Sequence, residues 1–504
     1  MSNYDCVRDF LRSTSYSEYD NGYIDGKYSL PVETMRAETL LEYEYTHRSD
    51  HCVYPPIKPQ FVNVNHMIIM VGLPARGKTY IARKLCRYLN WCGIASKVLS
   101  VGEYRRKAAG TDLKHEFFIR SNIEAEKIRQ NSLSREQSNA RQKNKIEKED
   151  DKQCYWNALE DGAAWMEEKP ENKVVIFDAS NTTRSRRESV YSFCIEHSIK
   201  PFFIESVFND EDIIDSFVKD IQEYSPDYVE TNYEERVNDF NKRMKHYKDE
   251  YETISDQNEI EKKFSYIKTI NAGKQFLINN ANGYLHSQVV YYLMNIHTQK
   301  RSLYITAHGE CDYNVKQELG GNSGLTKTGK LFASALSEYM KKESLQNFRV
   351  WTSSIQGCIE TSKYINGPIE IWRNLDYLNC GEYHGMKFTD LAKQYPDQFT
   401  ESSGPLDFNW RYPSGESYHD MLSRLEPVIM ELERQQNVLV ISHRTTIRCL
   451  MAYFLEHNPD EVGRIKVPLH TLFKVTPIAY GCRLEKATLD VQTGRLTKYT
   501  VHPN

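Results

Sequence analysis

Eight consecutive residues, Gly72, Leu73, Pro74, Ala75, Arg76, Gly77, Lys78 and Thr79, set two glycines ahead of a lysine and a hydroxyl. That pattern suits the binding of a polyphosphate. The glycines let the backbone curl so that successive N–H groups point inward, and the start of a following helix adds its partial positive charge. Lys78 offers a point charge to β- and γ-phosphates, and Thr79 offers a hydroxyl to Mg²⁺. The expected ligands are therefore ATP and Mg²⁺. An apolar run, Met67 to Leu73, leads into the motif and a helical pattern follows it. This is the context the motif needs, and it leaves a chance glycine-rich turn as the weaker reading.

A carboxylate and a set of arginines extend the chemistry. Asp178 closes the strand-like "KVVIFDAS", and the C-terminal tips of strands are where open α/β sheets place ligands. A carboxylate there can hold Mg²⁺, directly or through water, or accept a proton from an attacking hydroxyl. The sequence leaves these roles open beside the plainer one of capping the next helix. Arg105, Arg106, Arg129, Arg184, Arg186, Arg187 and Arg243 lie near strand ends or on helices. Any single arginine is most simply a solvated surface group, but together they could grip a phosphorylated acceptor. Further on, His308 follows "LYITA" and His443 follows "VLVIS". Two imidazoles at adjacent strand ends could form a phosphohistidine and its partner. A lone strand-end histidine is more often structural, and the pairing shifts the balance toward a site.

The elements that must position these groups read as two α/β series. In the first, "HMIIMVGL", "SKVLSVGEY", "KVVIFDAS" and "KPFFIESVF" are strands, with helices such as "YIARKLCRYLNWCG" between them. Alternation of this kind specifies a mostly parallel sheet. The second series begins near Arg301, with strands "SLYITAH", "FRVWTSS" and "NVLVISH" and helices "GKLFASALSEYMKK" and "RLEPVIMELERQ". In the last of these, Leu425, Val428, Ile429 and Leu432 fall on one face. The expected divisions are a disordered, regulatory arm over 1–60, a first α/β domain over 61–298 with a charged insertion at about 134–152, a second domain over 299–490, and a short tail over 491–504.

Bulk composition excludes several classes. A formal net charge of −4 advertises neither nucleic acid nor a membrane surface. The 11 cysteines form no C-x-x-C pairs, which argues against a disulfide scaffold or structural zinc and for a reducing compartment. No apolar run reaches the roughly 20 residues of a membrane span. The first residues lack a basic region followed by an apolar stretch. The expectation is a soluble, cytoplasmic protein.

"GLPARGKTYIARKL", "GEYRR", "FDASNTTRSRR", "FFIES", "YSPDY", "VVYYLMNIH", "GGNSGL", "RYPSGESY", "NVLVISH" and "PLHTLFKVTPIAYGC" occur in this order over about residues 60–485. Together they resemble the bifunctional 6-phosphofructo-2-kinase/fructose-2,6-bisphosphatase family. The arm and the insertion mark a divergent, fungal-type member. The resemblance implies a P-loop kinase domain followed by a histidine-phosphatase, phosphoglycerate-mutase-like α/β domain. It implies ATP, Mg²⁺ and fructose 6-phosphate as ligands, fructose 2,6-bisphosphate as product, and a homodimer as the common assembly.

Carried over position by position, Gly72 to Thr79 match the ATP loop, Asp178 the catalytic acid or base, and Asn209 and Asp210 the nucleotide segment. Arg105, Arg129, Arg186, Arg243 and Tyr247 match sugar-phosphate contacts, and Ser180 stands in for a threonine. Gln222 stands where a lysine is usual, with Lys219 about one helical turn away. In the second half the departures accumulate. Ala307 and Gly357 replace two arginines, His384 aligns with the acidic proton donor, and Asp407 and Asn409 stand where cations are usual. His308, Asn314 and His443 remain. Removing one such charge-stabilising donor typically costs ~10²–10³ in rate. The expectation is a working kinase half beside an impaired phosphatase half. The alternatives are a non-catalytic protein that binds a nucleotide or sugar phosphate, and a surviving phosphatase acting through His308.

Overall fold

A computed structural model describes residues 63–110, 154–210, 214, 218, 233–271, 273–296, 301–398, 404–478 and 481–500. The arm, the insertion, Arg129, Lys219 and Gln222 lie outside them. The chain divides into two compact units, with the break between Lys300 and Arg301.

The first unit is built on six strands: β1 (His66–Val71), β2 (Ser96–Ser100), β3 (Val174–Asp178), β4 (Lys200–Val207), β5 (Tyr266–Ile270) and β6 (Gln275–Asn279). Their spatial order is β2-β3-β1-β4-β5-β6. All neighbours are parallel except β5 and β6. A strand held between two others and covered on both faces needs a continuous apolar run, and every residue of β1 is buried. Helices α1 (Lys78–Trp91), α2 (Val101–Ala109), α3 (Cys154–Glu168), α4 (Arg184–Glu196), α5 (Tyr233–Asp249) and α6 (Tyr284–Asn295) complete the described part. In α1, Ile81, Leu85, Tyr88 and Leu89 recur at helical spacing and are all buried.

One strand is shorter than the sequence suggests. "SKVLSVGEY" is strand only to Ser100, and Val101 already opens α2. Ser100 is the last residue of β2 to find a partner, pairing with Asp178, where β3 also ends. With the ladder finished, the chain is released into helix.

Arg187 is not a cleft residue. It is fully buried. Its Nε donates to Glu261 Oε1 at 2.7 Å, and its Nη1 donates to the carbonyls of Asn181, Thr182 and Glu252 at 3.1, 3.2 and 2.8 Å. Glu261 is likewise inaccessible and also accepts from Ser255 N at 2.9 Å. Removing one member of such a pair strands the other charge in a dry interior. Arg187→Met should therefore lower stability by about 3–5 kcal/mol in a denaturant titration, with part of the loss recovered in Arg187→Met/Glu261→Gln. A loss below ~1 kcal/mol would show that the pair is dispensable.

The second unit has seven strands: β7 (Ser302–Ala307), β8 (Phe348–Thr352), β9 (Ile369–Ile371), β10 (Asn437–Ser442), β11 (Thr471–Ile478), β12 (Gly481–Asp490) and β13 (Arg495–Thr500). They are ordered β13-β12-β11-β7-β10-β8-β9. The four in the middle and at one end, β7, β10, β8 and β9, are parallel. β11 runs antiparallel to β7, and β13 antiparallel to β12. The stretch read as a tail therefore contains a paired strand. Its residues 495–500 close a hairpin at the sheet edge, a long-range pairing that no local pattern announces. Helices α7 (Lys327–Glu343), α8 (Gln356–Ser362), α9 (Tyr418–Arg434) and α10 (Arg444–Leu455) pack on this sheet. The four residues expected on one face of α9, Leu425, Val428, Ile429 and Leu432, are all fully buried. Ser417 and Asp420 cap that helix reciprocally, with Ser417 N donating to Asp420 Oδ2 at 2.8 Å and Asp420 N to Ser417 Oγ at 3.2 Å.

Candidate active site

In the first unit the glycine-rich loop leaves the end of β1 and enters α1. Gly72 (φ 136°), Ala75 (φ 53°) and Gly77 (φ 69°) all have positive φ, so the loop is curled as a phosphate cradle requires. Gly72 is doubly constrained, because a Cβ there would come within 2.6 Å of the Ser206 carbonyl oxygen. The loop is pinned from three sides. Gly72 N donates to Ser180 O at 2.9 Å. Ser206 Oγ donates to Arg76 O at 2.5 Å. The buried Arg76 side chain reaches the carbonyls of Pro74 and Ala75 at 3.4 Å and Met244 Sδ on α5 at 4.0 Å. Arg76 is thus a brace of the loop.

Lys78 and Thr79 open α1 beside the end of β3. Lys78 is buried, and its Nζ donates to Leu73 O at 2.6 Å, folded back over the loop. Burial pulls its ammonium down to about 8, against the supporting charge of Asp178. Thr79 Oγ1 donates to Asp178 Oδ2 at 2.8 Å. Burial raises the Asp178 carboxyl pKa, opposed by the Thr79 hydrogen bond, the Lys78 charge and the hydroxyl of Ser100. Ser100 sits opposite Asp178 in the β2–β3 register, which is how the fold adds it to the cluster. A hydroxyl and a carboxylate this close are hard oxygen donors of the type Mg²⁺ takes, next to a cation and a curled backbone. The residues present therefore fit ATP with Mg²⁺.

The other expected residues of this half are spread around the loop. Arg243 is on α5 and its charge is felt at Lys78. Tyr247 follows one helical turn later on the same helix. Arg105 is on α2 and acts electrostatically on Cys154 at the start of α3. Arg186, in the first turn of α4, stands over the Tyr155 ring at 5.6 Å. Asn209 and Asp210 follow β4 and are tied to the β5–β6 turn: Asn209 N donates to Asn271 Oδ1 at 2.7 Å, and Asp210 pairs with Lys274 at 3.0 Å.

In the second unit, β7 and β10 run side by side with Ala307 opposite Ser442, so the residues that follow them, His308 and His443, emerge together. Their ring centroids are 5.1 Å apart. His308 Nδ1 lies 2.7 Å from Gly309 O. A carbonyl can only accept, so Nδ1 carries the proton and Nε2 keeps its lone pair, the tautomer of a nucleophile. His443 Nε2 lies 2.9 Å from Ser353 Oγ. Burial drives the His308 pKa down to about 4 and that of His443 well below its ordinary value, so both rings are neutral near pH 7. Both line a cavity of about 380 Å³, as do Asn314 and Gly357.

Of the other expected residues of this half, Asn314 is also tied into its own turn, and Asp407 and His384 are not among the residues lining the cavity. Asn314 Oδ1 accepts from Cys311 N at 3.1 Å, capping its own turn. Asp407 Oδ1 accepts from the backbone of Asn409 and Trp410 at 2.8 and 2.9 Å. His384 is solvent-exposed, with its ring 6.4 Å from that of Tyr313, and it is not among the residues lining the cavity.

Two comparisons decide the family. The model of the 6-phosphofructo-2-kinase family matches residues 55–300, and that of the histidine phosphatase superfamily (branch 1) matches residues 303–490. The chain is 42% identical over 435 residues to 6-phosphofructo-2-kinase/fructose-2,6-bisphosphatase 3 of Rattus norvegicus, covering 86% of this chain and 74% of that protein. It is 42% identical over 434 residues to 6-phosphofructo-2-kinase/fructose-2,6-bisphosphatase 1 of Mus musculus, covering 86% of each. The chain belongs to the 6-phosphofructo-2-kinase/fructose-2,6-bisphosphatase family.

As a member of that family the chain pairs a P-loop kinase fold with a histidine-phosphatase fold, as its two units display. Among the described residues, no helix is long and apolar enough to cross a membrane. Sequence reasoning missed Ser100 and Ser206 in the kinase unit, and Ser353 and Arg444 in the other. Only Arg444 carried a signal, since it directly follows His443.

A pH effect follows from Lys78. Its lowered pKa means that the free site loses its ammonium as pH rises through about 8. Phosphate binding favours the charged form, so nucleotide binding above that pH must take up a proton. Nucleotide affinity should fall between pH 8 and 10. Calorimetry in buffers of different ionisation enthalpy should detect the uptake at pH 9, and its absence would mean that Lys78 stays charged in the free protein.

Proposed function

We propose that this chain transfers the γ-phosphoryl group of ATP to the 2-hydroxyl of fructose 6-phosphate, and that its histidine-phosphatase half does not turn over. The observation that carries the first part is the Lys78–Thr79–Asp178 cluster at the mouth of a curled loop. MgATP, when bound, brings the phosphoryl group and the neutralising charge of the metal. Lys78 would leave the Leu73 carbonyl to hold the β- and γ-phosphates. Thr79 and Asp178 would hold the metal, and the loop N–H groups would hold the remaining phosphate oxygens. Arg105, Arg129, Arg186 and Arg243, with Tyr247, fix the sugar phosphate, and Ser180 keeps the loop in place through its carbonyl.

The second part rests on lost charge. His308 keeps the tautomer of a nucleophile, but positions 307 and 357 carry no cation. A dianionic phosphoryl group arriving at His308 then lacks two stabilising donors, each worth roughly 10²–10³ in rate.

The deciding assay is formation of acid-labile fructose 2,6-bisphosphate from purified full-length chain with MgATP and fructose 6-phosphate. Product above a Lys78→Met control supports the reading. Nucleotide binding without product would favour a sensing protein, as the glutamine at position 222 suggests.

A further inference from the structure

Arg186, one of the arginines assigned to the sugar phosphate, rests on an aromatic support. It is half-buried in the first turn of α4, and its guanidinium stands over the Tyr155 ring, 5.6 Å from the centroid. A cation over an aromatic face is held by the ring's quadrupole, more strongly where water is excluded. Tyr155 lies at the start of α3 and is only 7% exposed. Its ring meets that of Phe177 edge-on at 5.1 Å, on the strand that ends in Asp178. The ring is a fixed platform, whereas an arginine side chain left to itself samples many rotamers.

The hydroxyl of Tyr155 ties this platform to the phosphate loop. It donates to Asn181 Oδ1 at 2.7 Å, and Asn181 Nδ2 donates to Met70 O at 2.8 Å, one residue before the end of β1. Burial raises the phenol pKa, so the hydroxyl keeps the proton it donates. Asn181 is fully buried with φ 45°, a left-handed conformation that asparagine accepts more readily than most residues. Its carbonyl and that of Thr182 accept from Arg187 at 3.1 and 3.2 Å. The carbonyl before them, of Ser180, accepts from Gly72 N at 2.9 Å. The turn from β3 into α4 is therefore anchored through both side chain and main chain, and it carries Arg186 a few residues later.

We propose that Tyr155 is a positioning residue for phosphoryl transfer to the sugar phosphate. Its ring fixes the Arg186 guanidinium for the acceptor's phosphate, and its hydroxyl sets that guanidinium in register with the Lys78 loop through Asn181 and Met70. Transfer depends on where the acceptor hydroxyl lies relative to the γ-phosphoryl group, and a misplacement of about 1 Å can cost ~10²-fold. A mobile arginine would attract the acceptor without setting that distance. Tyr155 acts through Arg186. This deepens the proposed kinase reading and rests on it.

The test uses the full-length protein. Binding of fructose 6-phosphate is measured by calorimetry with a saturating non-hydrolysable ATP analogue and Mg²⁺, and product formation is measured separately. Tyr155→Leu should weaken fructose 6-phosphate binding about five- to thirtyfold and lower kcat, while affinity for the analogue changes less than about twofold. Tyr155→Phe keeps the ring and should hold fructose 6-phosphate affinity within about threefold, with a lower thermal midpoint because Asn181 Oδ1 loses its donor. In an Arg186→Gln background, where the remaining arginines keep binding measurable, adding Tyr155→Leu should cost little further. If Tyr155→Leu unfolds early, Tyr155→Met, closer in length, takes its place. Unchanged fructose 6-phosphate affinity in the folded variant overturns the proposal. So does an equal loss for nucleotide and sugar phosphate, or an equal loss with and without Arg186. Fructose 6-phosphate binding without product would overturn the kinase reading alone and leave these comparisons standing, whereas no binding by the wild type overturns both.

Discussion

Lys78→Met should cut the rate of fructose 2,6-bisphosphate formation by at least ~10²–10³, with the fall in kcat exceeding any rise in KM for ATP. The reason is where the charge is needed. Negative charge shifts onto the β–γ bridging oxygen as the γ-phosphoryl group leaves, so a fixed ammonium stabilises the transition state more than bound ATP. Methionine keeps the length of the side chain and removes the charge. The fold should tolerate it, because Lys78 is held within the protein by a hydrogen bond to Leu73 O and is otherwise a buried charge under desolvation stress. The thermal midpoint of Lys78→Met should equal or exceed that of wild type. An unchanged rate of product formation in a folded variant would remove Lys78, and with it the proposed kinase site, from the chemistry.

The phosphate loop was legible because its chemistry is local. Eight consecutive residues specify the curl, and strand and helix on either side have periodicities that can be read directly. What could not be read depends on register and on long-range packing. Ser100 joins Asp178 only because β2 and β3 pair with those two residues opposite. Arg186 and Arg187 are neighbours of identical type, yet Arg187 is fully buried on Glu261 while Arg186 reaches the Tyr155 ring. The roughly 100° turn per residue in α4 separates them, and the sequence does not say which side faces the core. The strands β11 to β13 were unread, or read as a tail, because antiparallel edge pairing leaves a weak alternating pattern. In the second unit the family motif drew attention to Ala307 and Gly357 as losses, while Arg444, a cation that lines the same cavity, sits on a different element.

Gly357→Arg should raise hydrolysis of fructose 2,6-bisphosphate by ~10²–10³ over wild type. Gly357 is in the first turn of α8, and its φ lies outside the left-handed region, so a side chain is conformationally allowed. A Cβ there would lie 3.5 Å from His308 Nδ1 and 3.6 Å from Ser323 O, ordinary contact distances. The guanidinium would then share the cavity with Arg444, giving an incoming phosphoryl group two cations beside the free Nε2 of His308. Ala307→Arg should not match it. Ala307 is fully buried at the end of β7, and an arginine there must displace packed neighbours or strand a charge. The assay is made without ATP in a Lys78→Met background, so the kinase half contributes no turnover. Adding His308→Ala should abolish the gain, and adding Arg444→Gln should reduce it by roughly an order of magnitude or more. A gain that survives His308→Ala would mean the nucleophile lies elsewhere. No gain in a folded Gly357→Arg protein would mean that the missing cation at position 357 is not what limits hydrolysis by this half.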